Sequence, residues 1–90
     1  MNVWITGACS GIGQATAYSF AARGHAIILT ALEGPELLST AQECLSKGAS
    51  GVKCLPFNLL QTDQIAELAK NAWEAFDGGI DILYCNAGIS

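Results

Sequence analysis

The sequence predicts an α/β fold built on a doubly wound parallel sheet, and three observations predict it. Short apolar runs alternate along the chain with segments of helical spacing. Those runs are apolar on both faces, as strands covered from above and below require. A glycine-rich turn, Thr6-Gly7-Ala8-Cys9-Ser10-Gly11-Ile12-Gly13, joins the first run to the first helical segment.

Val3-Trp4-Ile5 forms the first strand and stops at Thr6-Gly7. After the glycine turn, Ile12, Ala15, Thr16, Ser19 and Phe20 recur at helical spacing, and Arg23-Gly24 supplies the stop. Ala26-Ile27-Ile28-Leu29-Thr30 is the second strand. Gly34-Pro35 restarts the helical pattern, since proline is tolerated in a first turn, and Leu38, Ala41 and Leu45 mark one face up to Gly48. Val52 to Leu55 is the third strand; Pro56 ends it, which suits an edge. Thr62-Asp63 opens a third helix with Ile65, Leu68, Ala69, Ala72 and Phe76 on one face, and Gly78-Gly79 closes it. Asp81 to Cys85 is the fourth strand. Parallel strands joined through helices need right-handed crossovers, and the doubly wound pattern gives the order 3-2-1-4 with the third strand at an edge.

Ninety residues set the limit at one small domain. The chain is 51% hydrophobic and 13% charged, so it either encloses a two-sided sheet or lacks a partner. Eight acids face four scattered bases, Arg23, Lys47, Lys53 and Lys70, for a net charge of -4. With no basic patch, nucleic acid is not an expected partner. The longest apolar run is too short to span a bilayer, and a strand starting at Asn2 leaves no room for a targeting segment. A cytoplasmic protein without a membrane partner is expected. Cys44, Cys54 and Cys85 read as small buried apolar residues, and no metal-ligand set is expected. Cys9 precedes a helix start, where a thiol pKa is lowered, so a redox role is its secondary reading.

The glycine turn lies at the carboxyl end of the sheet, where open α/β folds bind ligands. Three glycines permit a sharp turn, close approach of a ligand and tight helix packing. The helix start offers free N–H groups and a positive dipole end to an anion. No lysine or arginine lies in or beside the turn, so backbone N–H groups and the Ser10 hydroxyl must hold a phosphate, which suits a diphosphate. The pattern G-x-x-x-x-G-K-[ST] fails on spacing and on its lysine, and the spacing also differs from G-x-G-x-x-G.

Thr6 to Gly13 resembles the T-G-x-x-x-G-I-G cofactor motif of the short-chain dehydrogenases/reductases, whose cofactor domain is of the Rossmann type. Asn86-Ala87-Gly88 resembles the last three residues of that family's N-N-A-G motif, with Cys85 in place of the first asparagine. The resemblance runs over essentially the whole chain and implies NAD or NADP as cofactor. It implies that Gly7, Ser10, Gly11, Ile12 and Gly13 line the pyrophosphate and adenosine ribose, with the Ile12 N–H as one donor. Thr6 would brace the turn against Asn86-Ala87-Gly88, which would border the nicotinamide ribose. Asn58-Leu59 corresponds to the family's Asp-Val or Asp-Leu pair beside the adenine, and an asparagine carbonyl can accept from the adenine amino group. Ala31 stands where an NAD-selecting aspartate is expected and Leu32 where NADP users carry arginine, so neither cofactor is selected.

The family's serine and Tyr-x-x-x-Lys are absent from these residues: neither Tyr18 nor Tyr84 has a lysine four residues on, and no catalytic residue is nominated. The expectation is therefore the N-terminal, dinucleotide-binding part, residues 1–90, of an oxidoreductase that acts on an alcohol or carbonyl substrate only with a C-terminal half. The alternative is a non-catalytic dinucleotide-binding module, or one that self-associates through the exposed edge of its fourth strand. Methyltransferases using S-adenosylmethionine share the architecture but call for an acid after the second strand, which Ala31 and Leu32 do not supply. His25, Trp4 and Trp73 read as structural residues.

Overall fold

A strand buried along its whole length must be paired at both edges and covered on both faces, and Ala26–Thr30 (β2) meets both conditions. The computed structural model describes residues 1–9, 11–32, 34–57 and 64–85. Around β2 stand Asn2–Thr6 (β1), Gly51–Cys54 (β3) and Ile82–Cys85 (β4), with helices Gly11–Ala22 (α1), Pro35–Lys47 (α2) and Ile65–Glu74 (α3) between them. All pairings are parallel and the order is β3-β2-β1-β4, as the sequence predicts. The expected start of the third helix at Thr62-Asp63 lies outside the described residues.

The period of two along the strands divides the core. Val3, Ile5, Ile27 and Leu29 face one way and meet Ala17, Ala21, Leu37 and Cys44 of α1 and α2. Trp4 and Ile28 face the other way and meet Ala72, with Leu68 and Phe76 beside it. Trp4 is a core residue, as expected, and its indole Nε1 donates to the buried Thr30 Oγ1 at 2.8 Å. Thr30→Val leaves that buried N–H without an acceptor and is expected to lower stability by about 1–3 kcal/mol, whereas Thr30→Ser keeps it within about 1 kcal/mol. Urea unfolding of the two variants checks this.

Two helices present different faces from those the apolar spacing predicts. In α1 the buried residues are Gly13, Ala17 and Ala21, while Ile12 is 66% exposed and Ala15 and Ser19 are open to solvent. Small side chains at every fourth position let the helix approach the sheet closely, so size rather than apolarity selects the face. In α2 the buried residues are Leu37, Thr40 and Cys44, and Leu38 and Leu45 are 62% and 54% exposed. That face contains a polar residue because Thr40 satisfies its hydroxyl within its own helix, donating to the Glu36 carbonyl at 2.9 Å. In α3, Ala72 is buried, but Ile65 and Ala69 are exposed, and the helix ends at Glu74, ahead of Gly78-Gly79. Trp73 is largely exposed, with its indole lying over Gly79.

At the amino end of the sheet, the Asn2 side chain donates to the carbonyls of Asp77 and Gly79, and its backbone N–H donates to Asp81. His25 sits at the same end, beside Phe20 and 3.2 Å from the Met1 amino group, which leaves it structural. On the outer strand β4, Ile82 and Tyr84 are half-buried and Leu83 is 52% exposed, in line with the open edge expected from the sequence. No helix among the described residues is long and apolar enough to cross a membrane.

Candidate functional site

Parallel strands end together, and the carboxyl ends of β1, β2 and β4 bring Thr6, Thr30 and Cys85 into one row. The glycine turn rises from this rim. Gly7 follows β1 with φ of 64°, a left-handed conformation that side chains disfavour. The chain then bends over the end of β2, where the Ala8 N–H donates to the Thr30 carbonyl at 3.2 Å and Ala8 is fully buried. The Thr6 hydroxyl reaches the Tyr84 carbonyl at 3.5 Å, which ties the turn to the end of β4.

The three glycines have three different surroundings. Gly7 makes the turn. Gly11 is the first residue of α1 and is exposed, and among the described residues nothing beyond its chain neighbours and its own helix backbone lies within 4 Å of where a Cβ would stand. Gly13 is buried on the sheet side of the helix. The first turn of α1 holds no acidic residue, so nothing in it opposes the positive end of the helix dipole. Arg23 follows α1 and Lys47 ends α2, both at the end of the molecule away from the turn, while Lys53 lies on β3 and Lys70 within α3. An anion at this helix start would therefore be held by backbone N–H groups, and the donor set fits a diphosphate.

The other expected site residues divide into those the structure places and those it does not describe. Ala31 is half-buried directly after β2, and the exposed Leu32 follows it. The Phe57 N–H donates to the Ala31 carbonyl at 3.0 Å, so the segment leading to Asn58 runs beside the position expected to select the cofactor. Ser10, Asn58, Leu59, Asn86, Ala87 and Gly88 lie outside the described residues.

Cys9 departs from its secondary reading. Burial raises its thiol pKa, and although the Thr40 hydroxyl opposes this, the Glu36 carboxylate adds to it; the lowered value expected from a helix start is overturned. Cys44 is pushed up to about 11, by burial first and by neighbouring Cys54 and Glu43 next, and Cys54 rises through burial too. A thiol with a raised folded pKa is neutral in both states below its ordinary value of 9.0. Stability is then full below pH 9, and it falls as pH rises from 9 to about 11, because the unfolded chain releases a proton that the folded chain keeps. Urea midpoints measured across that window should decline, and less steeply in Cys44→Ala.

Sequence reasoning missed the polar junction beneath the turn. Gln14 of α1 donates through Nε2 to the Thr40 Oγ1 of α2 at 3.1 Å, and the Cys9 Sγ stands 4.0 Å from the same oxygen. The available signal was a glutamine and a threonine at positions facing the neighbouring helix. Among the described residues no group of histidine, cysteine or acidic side chains could hold a metal ion.

The sequence profile of the short chain dehydrogenase family matches residues 1–90. Dehydrogenase/reductase SDR family member 7 of Homo sapiens is 37% identical over 93 residues, covering 100% of this chain and 27% of that protein. Among solved structures, a short-chain dehydrogenase from Sphingobium yanoikuyae in complex with NADPH superposes with a TM-score of 0.78 at 34% identity, over 91% of this chain and 31% of that one. A metagenomic short-chain oxidoreductase in complex with NADP gives a TM-score of 0.81 at 29% identity, over 92% of this chain and 37% of that one. The chain thus spans roughly a third of the length of the proteins it matches.

Proposed function

The chain belongs to the short-chain dehydrogenase family, and from that premise we propose that it forms the dinucleotide-binding part of an NAD- or NADP-dependent oxidoreductase acting on alcohols or carbonyls. One observation carries the reading: among the described residues, the start of α1 is exposed at Gly11, and its first turn is free of acidic side chains. The NADPH and NADP held by two of its structural neighbours agree with it. The bound dinucleotide would supply the hydride exchanged with substrate.

In this reading the N–H groups of the Gly11–Gly13 segment, with the Ser10 hydroxyl, hold the pyrophosphate, and Gly7 turns the chain clear of it. Asn58 and Leu59 border the adenine, and Asn86-Ala87-Gly88 border the nicotinamide ribose. Ala31 and Leu32 contact the adenosine ribose without an acid for its 2′-OH or a base for a 2′-phosphate, so both cofactors remain admissible. Proton transfer belongs to groups outside these 90 residues, which lack a Tyr-x-x-x-Lys and should turn over no substrate by themselves. A cytoplasmic location goes with this reading.

Titration with NADH and with NADPH, followed by fluorescence and calorimetry, tests the proposal. Saturable binding of at least one, with a rise in Tm, is expected. Failure of both to bind a folded sample overturns it. A second reading, an interaction module working through its outer strand, is favoured by the exposure of Leu83 on β4. Concentration-dependent sedimentation that Leu83→Lys abolishes would support it.

A further inference from the structure

Thr40 lies at 0% exposure on α2, in the middle of a helix where threonine is a poor intrinsic choice. Its one proton goes to the Glu36 carbonyl, so the remaining lone pairs of the oxygen can only accept. Gln14 of α1 donates to it at 3.1 Å. The Cys9 Sγ lies 4.0 Å from the same oxygen, at the outer limit of a sulfur hydrogen bond. One oxygen thus joins α2, α1 and the glycine turn. Packing alone would be met by valine, which has the same shape; what valine cannot do is accept.

Cys9 and Gln14 bracket the segment Gly11–Gly13. From this arrangement we infer that Thr40 is a positioning residue for the phosphate-binding turn. By holding the side chains on both sides of that segment from beneath, it sets the direction in which the intervening N–H groups point. The inference rests on the dinucleotide reading above and assigns a new residue to that site, on a different helix and without contact to the ligand.

The test compares Thr40→Val, Thr40→Ser and Cys44→Ala in the purified protein, measuring Kd for NADH and NADPH alongside Tm. Cys44 is equally buried one turn further along α2, away from the turn, so its variant reports the effect of looser packing alone. Thr40→Val is expected to raise Kd about tenfold, the equivalent of one well-made hydrogen bond, and Thr40→Ser to bind within about twofold of wild type. Cys44→Ala should lower Tm and leave Kd unchanged. Should Thr40→Val fail to fold, Gln14→Met removes the α1 donor only and is expected to weaken binding by about fivefold. The positioning role is overturned if the wild type binds while Thr40→Val, or in its place Gln14→Met, binds equally well. It is also overturned if Cys44→Ala weakens binding as much. A wild type that binds neither dinucleotide removes the cofactor reading itself, which is a different result.

Discussion

Gly11→Asp is expected to remove dinucleotide binding while leaving the fold as stable as before, or slightly more so. The position is exposed, a Cβ there meets nothing within 4 Å, and its backbone is already helical. Replacing glycine in a helix and placing an acid in its first turn are both favourable, by about 0.3–1 kcal/mol each. The added carboxylate would meet a diphosphate held on the neighbouring N–H groups. At about 5 Å, and with an effective dielectric between protein surface and water, each like-charge pair costs about 1–3 kcal/mol. Two such pairs weaken binding on the order of a hundredfold or more. Gly11→Ala, which adds bulk without charge, should have a smaller effect. Kd values and urea midpoints for both variants separate loss of binding from loss of fold, and a Gly11→Asp protein that binds like wild type would show that no phosphate approaches this helix start.

Leu29→Ala is expected to unfold the chain or bring it close to unfolding. Leu29 is fully buried on the central strand, between Ile5 of β1 and Cys54 of β3 in register. Truncating a buried leucine costs about 2–5 kcal/mol. A domain of this size has on the order of 5–13 kcal/mol in total. Leu45→Ala makes the contrast. The apolar spacing of α2 places Leu45 on the core face, yet it is more than half exposed, and its truncation should change stability by no more than about 0.5 kcal/mol. Circular dichroism during urea titration distinguishes the two, and a Leu45→Ala variant as damaged as Leu29→Ala would restore the face that spacing alone suggests.

That contrast marks how far the sequence could be read. Strand positions, order and the edge strand followed from apolar runs, glycine stops and Pro56, because a two-sided sheet leaves little choice about which residues it buries. Helix faces were less legible. Leu37 and Leu38 are adjacent and equally apolar, and only the packing of α2 against α1 and β3 decides which turns inward. In α1 the buried positions are the small Gly13, Ala17 and Ala21, offset from the series Ile12, Ala15, Thr16, Ser19 and Phe20 that helical spacing suggested. The glycine turn was legible as a motif: Gly7 takes the left-handed turn and Gly13 is buried on the inner side of the helix. The junction at Thr40 was not, since it joins residues 26 and 31 positions apart through one oxygen. Helix-start electrostatics misled at Cys9, where burial raises the thiol pKa.

The central claim is that backbone N–H groups at the start of α1 receive a diphosphate without help from a cationic side chain. Backbone amide resonances followed by NMR during titration with NADPH and NADH test it most directly. The account predicts that the amides of Gly11, Ile12 and Gly13 shift earliest and furthest, while those of Arg23 and Lys47 at the opposite end stay in place. Saturable binding that leaves the three helix-start amides unmoved would contradict it.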